Sequence, residues 1–190
     1  MRKFNAMLVA LAGGLSSLPV WSADTYSIDP RHTFPSYEIS HFGWSTQRGR
    51  FDKTSGKIVL DRAGKTGSVD VTIEVASINT GVDKLNEHLA SEDFFNAAKF
   101  PTMTFKATKI VFNGDSPASI PGEFTLLGVT KPATLTITRF SCGQHPMLKK
   151  EVCGADATTT IKRSEFGMTK YVPNLGDDVK LVLNVESFKD

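Results

Sequence analysis

The sequence predicts an antiparallel all-β domain of about eight short strands with a single short helix. Three observations carry this reading. Apolar and polar residues alternate at period two in run after run, Gly, Pro, Asn and Asp separate the runs, and one stretch alone shifts to a helical spacing. With 190 residues, 40% hydrophobic and 22% charged, the chain has the balance of one globular domain. Collagen, coiled coil, a disordered tail and a polytopic membrane protein are all disfavoured.

Before the first strand, Arg2 and Lys3 precede an apolar stretch over residues 6–18 and a region of small residues around Val20-Trp21-Ser22-Ala23. This is the three-part pattern of a secretory signal peptide, with cleavage after Ser22 or Ala23. A membrane anchor needs about 20 apolar residues, more than this run supplies, and Gly13 and Gly14 weaken it further. Residues 1–23 are therefore expected to be an export signal, and residues 24–190 a single domain. Taking Arg2 and Lys3 from the 22 basic residues leaves 20 against 20 acidic ones. The exported chain is formally neutral. No basic cluster in it is longer than the pair Lys149-Lys150, so no nucleic-acid partner is expected.

The strands then follow in order. Pro35, Tyr37, Ile39 and His41 alternate with Ser36, Glu38 and Ser40, and residues 57–60 form a second run. Val69, Val71, Ile73 and Val75 stand against Asp70, Thr72 and Glu74. Met103, Phe105 and Ala107 repeat the beat, as do Ile120, Phe124 and Leu126, and then Ala133, Leu135 and Ile137 among threonines. Thr159 with Ile161, and Val179, Leu181, Leu183 and Val185, complete the set. Between them, Val82, Leu85, Leu89 and Phe94 or Phe95 fall three to five residues apart, which predicts a helix over residues 83–97. Thr80 is the expected N-cap, and Phe100-Pro101 ends the segment. Eight such strands can close as a barrel or stack as a sandwich, and alternation alone does not choose. Closure removes exposed edges and leaves room for one small ligand.

Cys142 and Cys153 belong to a chain bound for an oxidising compartment, where a disulfide is expected. An alternative groups Cys142, His145, Met147 and Cys153 as a soft-ligand set suited to copper in a metal or redox accessory protein. No nucleophile elbow, phosphate-binding loop, dinucleotide fingerprint or zinc-protease pair occurs, so no enzyme and no cofactor is expected. His32 reads as a loop-fixing residue. His41 shares the face of Tyr37 and Ile39, which is inward in a barrel; catalysis on a bound lipid through His41 is a weaker alternative. Thirteen phenylalanines against three tyrosines and two tryptophans give a large apolar area without polar tips to satisfy.

Read in order, Asp29-Pro-Arg-His32, His41-Phe-Gly43, Arg48-Gly-Arg-Phe51, His88-Leu-Ala-Ser-Glu-Asp-Phe-Phe95, Lys99-Phe-Pro101, Leu127-Gly-Val-Thr-Lys-Pro132 and Arg163-Ser-Glu-Phe-Gly167 resemble the pattern of the YceI-like family. The likeness extends over essentially the whole exported chain. It implies a lipocalin-like, eight-stranded antiparallel barrel in the periplasm that binds a polyisoprenoid or similar long-chain lipid in its lumen, without stable membrane insertion, and homodimers among relatives. Combined with strand parity, it nominates Tyr37, Ile39, His41, Phe51, Phe105 and Phe124 as ligand-binding. Phe94 and Phe95 are expected to cover one end, and Arg163 to meet an anionic or carbonyl headgroup. The cysteine pair lies outside the shared motifs and is expected to staple the hairpin between the sixth and seventh strands.

Overall fold

The computed structural model describes residues 23–190; the expected export signal lies outside the described residues except for Ala23. The chain begins with β1 (Asp24–Ile28), β2 (Ser36–His41), β3 (Ser45–Phe51), β4 (Thr54–Asp61), β5 (Thr66–Glu74) and β6 (Ile78–Asn79). Helix α1 (Asp83–Ala90) comes next. It is followed by β7 (Thr102–Ala107), β8 (Val111–Asn113), β9 (Ser116–Leu126), β10 (Val129–Gln144), β11 (Glu151–Lys162) and β12 (Leu175–Lys189).

Antiparallel pairing runs β1–β4–β5–β7–β9–β10–β11–β12 and returns to β1, where Tyr26 faces Lys189 and Ile28 faces Ser187. The sheet is thus an eight-stranded closed barrel. Long β12 has two partners on one edge: β1 along its C-terminal end and β2 nearer its N-terminal end, where Leu181 faces Tyr37 and Val179 faces Ile39. Beyond β2 the ladder continues through β3 to β6. So β1/β2, β3/β4 and β5/β6 are three staves, each broken midway. The first break is the Asp29-Pro30 turn, the second lies at Asp52-Lys53, and the third is a 3-10 turn over Val75–Ser77. The Val75 end of the expected third strand is that turn.

Every stave contains a run that alternation identifies, which is why eight is the right number although the pieces number twelve. The pieces that alternation does not identify are β1, β3, β6 and β8. In β3, Ser-Thr-Gln-Arg-Gly-Arg-Phe offers one large apolar side chain at its end and is mostly exposed, so no period-two pattern exists to read.

The helix is shorter than expected. It covers Asp83–Ala90, its N-cap residue is Val82 without a side-chain cap, and Ser91 leaves helical geometry at ψ 172°. Thr80 instead locks the preceding turn: its Oγ1 accepts from the Val82 amide at 3.3 Å and donates to Asn86 Oδ1 at 2.8 Å. Residues 91–100 fold as successive turns, with Phe95 N–H donating to Leu89 O and Ala97 N–H to Ala90 O. A left-handed Asn96 at φ 45° is incompatible with continuing the helix.

At one end of the barrel Tyr26, Leu60, Val69 and Ile110 pack into a closed floor. Tyr26 donates to Glu151 Oε1 at 2.9 Å, and Arg62 donates to the same oxygen. Burial, then the bond to the Glu151 carboxylate, pushes the Tyr26 hydroxyl up to about 12. Near this end Cys142 and Cys153, directly opposed on β10 and β11, form a disulfide. It staples the sixth and seventh staves, and a loop of that length stabilises the fold by about 3 kcal/mol in the chain-entropy account.

Candidate functional site

Inward-facing positions of all eight staves surround a cavity of about 610 Å³, inside the range of roughly 300–1,000 Å³ typical of small-molecule sites. The walls are aliphatic and aromatic because each strand sends alternate residues inward. Val69, Val71 and Ile73 come from β5, Ala133, Leu135 and Ile137 from β10, and Val179, Leu181, Leu183 and Val185 from β12. Several of these side chains, Ile39, Val71 and Leu181 among them, are only partly buried because the void uncovers them. The exposed large apolar members of the lining, Phe42, Val82, Leu85 and Tyr171, all lie on the β2–β3 turn, around α1 and on the loop before β12. That end is the mouth.

All nine residues nominated from the sequence stand on this wall. Tyr37, Ile39 and His41 climb β2 towards the mouth. Phe51 lies 6.4 Å from the Tyr37 ring and meets Phe95 edge-on at 5.5 Å. Phe105 and Phe124 face each other across β7 and β9, and Phe124 meets Phe166 edge-on at 5.7 Å. Phe94, from the turns after α1, packs edge-on against His88 at 5.0 Å.

Tyr37 is held by a close approach. A Cβ at Gly49 would lie 2.5 Å from the Tyr37 oxygen, so glycine on β3 is what lets the ring lie there. Its hydroxyl has no hydrogen-bond partner among the described residues, and burial pushes it up to about 12. Thr54 Oγ1, on the same wall, is also buried and unpartnered. These two hydroxyls were not singled out together by the sequence; Thr54 belongs to a strand whose start carries no clear alternation.

Arg163 is a correction in role. It is 2% exposed, and its guanidinium donates to four backbone carbonyls. Nε reaches Gly176 O at 2.9 Å, Nη1 reaches Met168 O at 3.0 Å, and Nη2 reaches Lys170 O at 2.8 Å and Leu175 O at 3.1 Å. With four of five donors engaged, this side chain ties the 163–176 loop to β12 rather than meeting a headgroup. Burial lowers its pKa against the opposing pull of Asp177.

The copper set is also corrected. Both thiols are consumed in the disulfide, His145 Nδ1 accepts from the amides of Met147 and Leu148, and Met147 projects into solvent. The His41 ring contacts Phe42 and Trp44 and has no hydrogen-bonded carboxylate or nucleophile among the described residues. Asp29, His32 and Glu186 bring three potential ligand atoms within 4.8 Å of one another, but the arrangement is a turn lock. Asp29 Oδ1 accepts from the Arg31 amide and Nε, and Oδ2 pairs with His32 Nδ1 at 2.8 Å. Burial works to raise the Asp29 carboxyl, yet these hydrogen bonds from His32 and Arg31 outweigh it and hold it at about 2.

Among the described residues, no helix is long and apolar enough to cross a membrane. A family model described as the YceI-like domain matches residues 26–187. Protein YceI of Salmonella arizonae is 34% identical over 187 residues, covering 97% of each chain. Among solved structures, the YCEI protein of Campylobacter jejuni superposes with a TM-score of 0.68 at 25% identity, covering 100% of this chain and 99% of that one. A polyisoprenoid binding domain from Saccharophagus degradans shares the fold at a TM-score of 0.63 and 16% identity, covering 87% of this chain and 98% of that one. Barrel, ordered motifs and matches over nearly the whole described chain agree: this protein belongs to the YceI-like family.

Proposed function

We propose that this protein is a periplasmic binding and carrier protein for a polyisoprenoid or similar long-chain amphiphilic lipid, held in the barrel cavity. The observation that carries the reading is the cavity itself: about 610 Å³, walled by apolar side chains and open at one end. Each methylene moved from water onto such a wall is worth about 0.8 kcal/mol. Ten of them supply about 8 kcal/mol to set against the cost of ordering the chain, and each further methylene adds to the balance. The name of the Saccharophagus degradans domain supports the ligand class.

Polar groups are few and placed where an amphiphile needs them. His41, Gln47, Arg48, Thr80 and His88 line the mouth and suit a headgroup, while the Tyr37 and Thr54 hydroxyls offer hydrogen bonds to a polar atom within the chain. Native mass spectrometry of the purified protein, paired with lipid extraction, tests the proposal. A co-purifying lipid, or uptake of an added polyprenol at one per barrel, is expected; a barrel that stays empty with polyprenols, quinones and fatty acids alike overturns it.

A further inference from the structure

The turn between β2 and β3 is unusual in its chemistry. Phe42 and Gly43 have φ of 54° and 71°, and Trp44 N–H donates back to His41 O at 3.0 Å. Paired His41 and Ser45 thus enclose a three-residue loop whose first two positions have positive φ, where Asn and Gly are the low-cost residues. A phenylalanine in that region costs about 1–2 kcal/mol. Tyr171, on the neighbouring loop at the mouth, is likewise left-handed at φ 62°. Strained aromatics at a cavity mouth point to a use outside the fold.

That use is visible in how they are displayed. Trp44 is 81% exposed and stacks on Phe42 at 5.1 Å and 25°, while Phe42 also lines the cavity. With Val82, Leu85 and Tyr171 they form an exposed apolar ring around the opening. From Ile39 to Gln47 the hairpin carries no Asp, Glu, Lys or Arg. An uncharged projecting tip with a tryptophan is suited to the boundary between headgroups and hydrocarbon, where an amphipathic ring has both environments it needs. A second copy placed mouth to mouth would meet these five side chains and the five polar ones of the mouth around a hole, whereas a stable dimer takes about 20–30 residues a side.

We propose that this ring docks the mouth onto a lipid bilayer surface, with the Phe42–Trp44 tip entering the interfacial layer, so that cargo passes between membrane and cavity along a continuous apolar path. The inference rests on the lipid-carrier reading for its purpose, and its test is separable from it. Purified protein is co-sedimented with vesicles of phosphatidylcholine alone and of phosphatidylethanolamine with phosphatidylglycerol. Wild type is expected to bind both, and Trp44→Ser to bind about tenfold less, the loss of one interfacial aromatic. Met147→Ser/Leu148→Ser, at the opposite end of β12 from the mouth, is expected to bind as wild type does. Circular dichroism checks that each variant is folded.

Absence of vesicle binding by wild type overturns the proposal. So does equal binding by Trp44→Ser, binding restricted to the anionic vesicles, or a dimer in light scattering that Trp44→Ser dissociates while vesicles go unbound. Mass spectrometry of the same samples keeps the two readings apart. Cargo retained in Trp44→Ser with vesicle binding lost supports both. An empty wild type with tip-dependent vesicle binding removes the carrier reading alone, and a loaded wild type with tip-independent binding removes the docking alone.

Discussion

The amide of Phe42 donates a 2.8 Å hydrogen bond to the carbonyl of Asn174. Through it the β2–β3 turn is fastened to the loop that precedes β12, and the two left-handed aromatics of the mouth, Phe42 and Tyr171, stand on elements that hold each other. Arg163 fastens the same loop from below.

Replacing Phe42 by asparagine separates strain from display. Asparagine tolerates the left-handed region, so the cost of about 1–2 kcal/mol is relieved, less roughly 0.5–1 kcal/mol for the lost stacking on Trp44. Urea unfolding of Phe42→Asn should show a gain of about 0.5–1 kcal/mol. A clear loss would mean that the phenylalanine is held for stability.

Arg163→Lys retains the charge but cannot reproduce four directed bonds. Carbonyls of Met168, Lys170, Leu175 and Gly176 lose donors in a buried setting, which costs about 2–4 kcal/mol. Thermal unfolding should fall by roughly 5–15 °C for a chain of this length. A melting temperature within a degree or two of wild type would assign the loop's anchorage to other contacts.

Ala155 lines the cavity wall on β11, and Ala155→Phe fills part of the void with a ring. Lipid occupancy should drop severalfold, while stability is unchanged or rises, because an apolar hole loses dispersion contacts along its lining. Wild-type occupancy in a folded variant would place the ligand elsewhere.

For Asp29, the folded carboxyl at about 2 lies below its ordinary value of 3.8. A depressed folded pKa contributes stability above the unfolded value and loses it as pH falls through the folded one. The window therefore runs from about pH 4 down to about pH 2. Since Arg31 and His32 are largely exposed, the contribution is discounted to about 1 kcal/mol. Asp29→Asn should lose it at neutral pH and show a flatter stability profile across that window in denaturant titrations.

Much of this molecule can be read from alternation. Val69, Val71 and Ile73, or Val179 to Val185, show their inward face directly, and the same parity sets Tyr37, Ile39 and His41 on the cavity wall. Residues whose place depends on tertiary partners cannot be read that way. Arg163 has an ordinary local sequence, and only the folded loop reveals four carbonyls around it. Alternation is also blind to a void, since Leu181 against a packed core and Leu181 against an empty space have the same neighbours in sequence. The Phe42-Gly43 turn is the opposite case: the dipeptide is plain in the chain, but its strain and projection exist only once the hairpin has closed.

The three broken staves divide the barrel's girth between two kinds of force. Around the floor, eight strands form an unbroken hoop of backbone hydrogen bonds, so the circumference there is fixed by peptide geometry. At the mouth, β6 ends the ladder and no strand bridges from it to β7 among the described residues; α1 and residues 91–101 occupy that sector. The circumference at that end is set by side-chain packing, which yields more readily than a ladder. The barrel is thereby rigid in girth at the floor and adjustable in girth at the mouth.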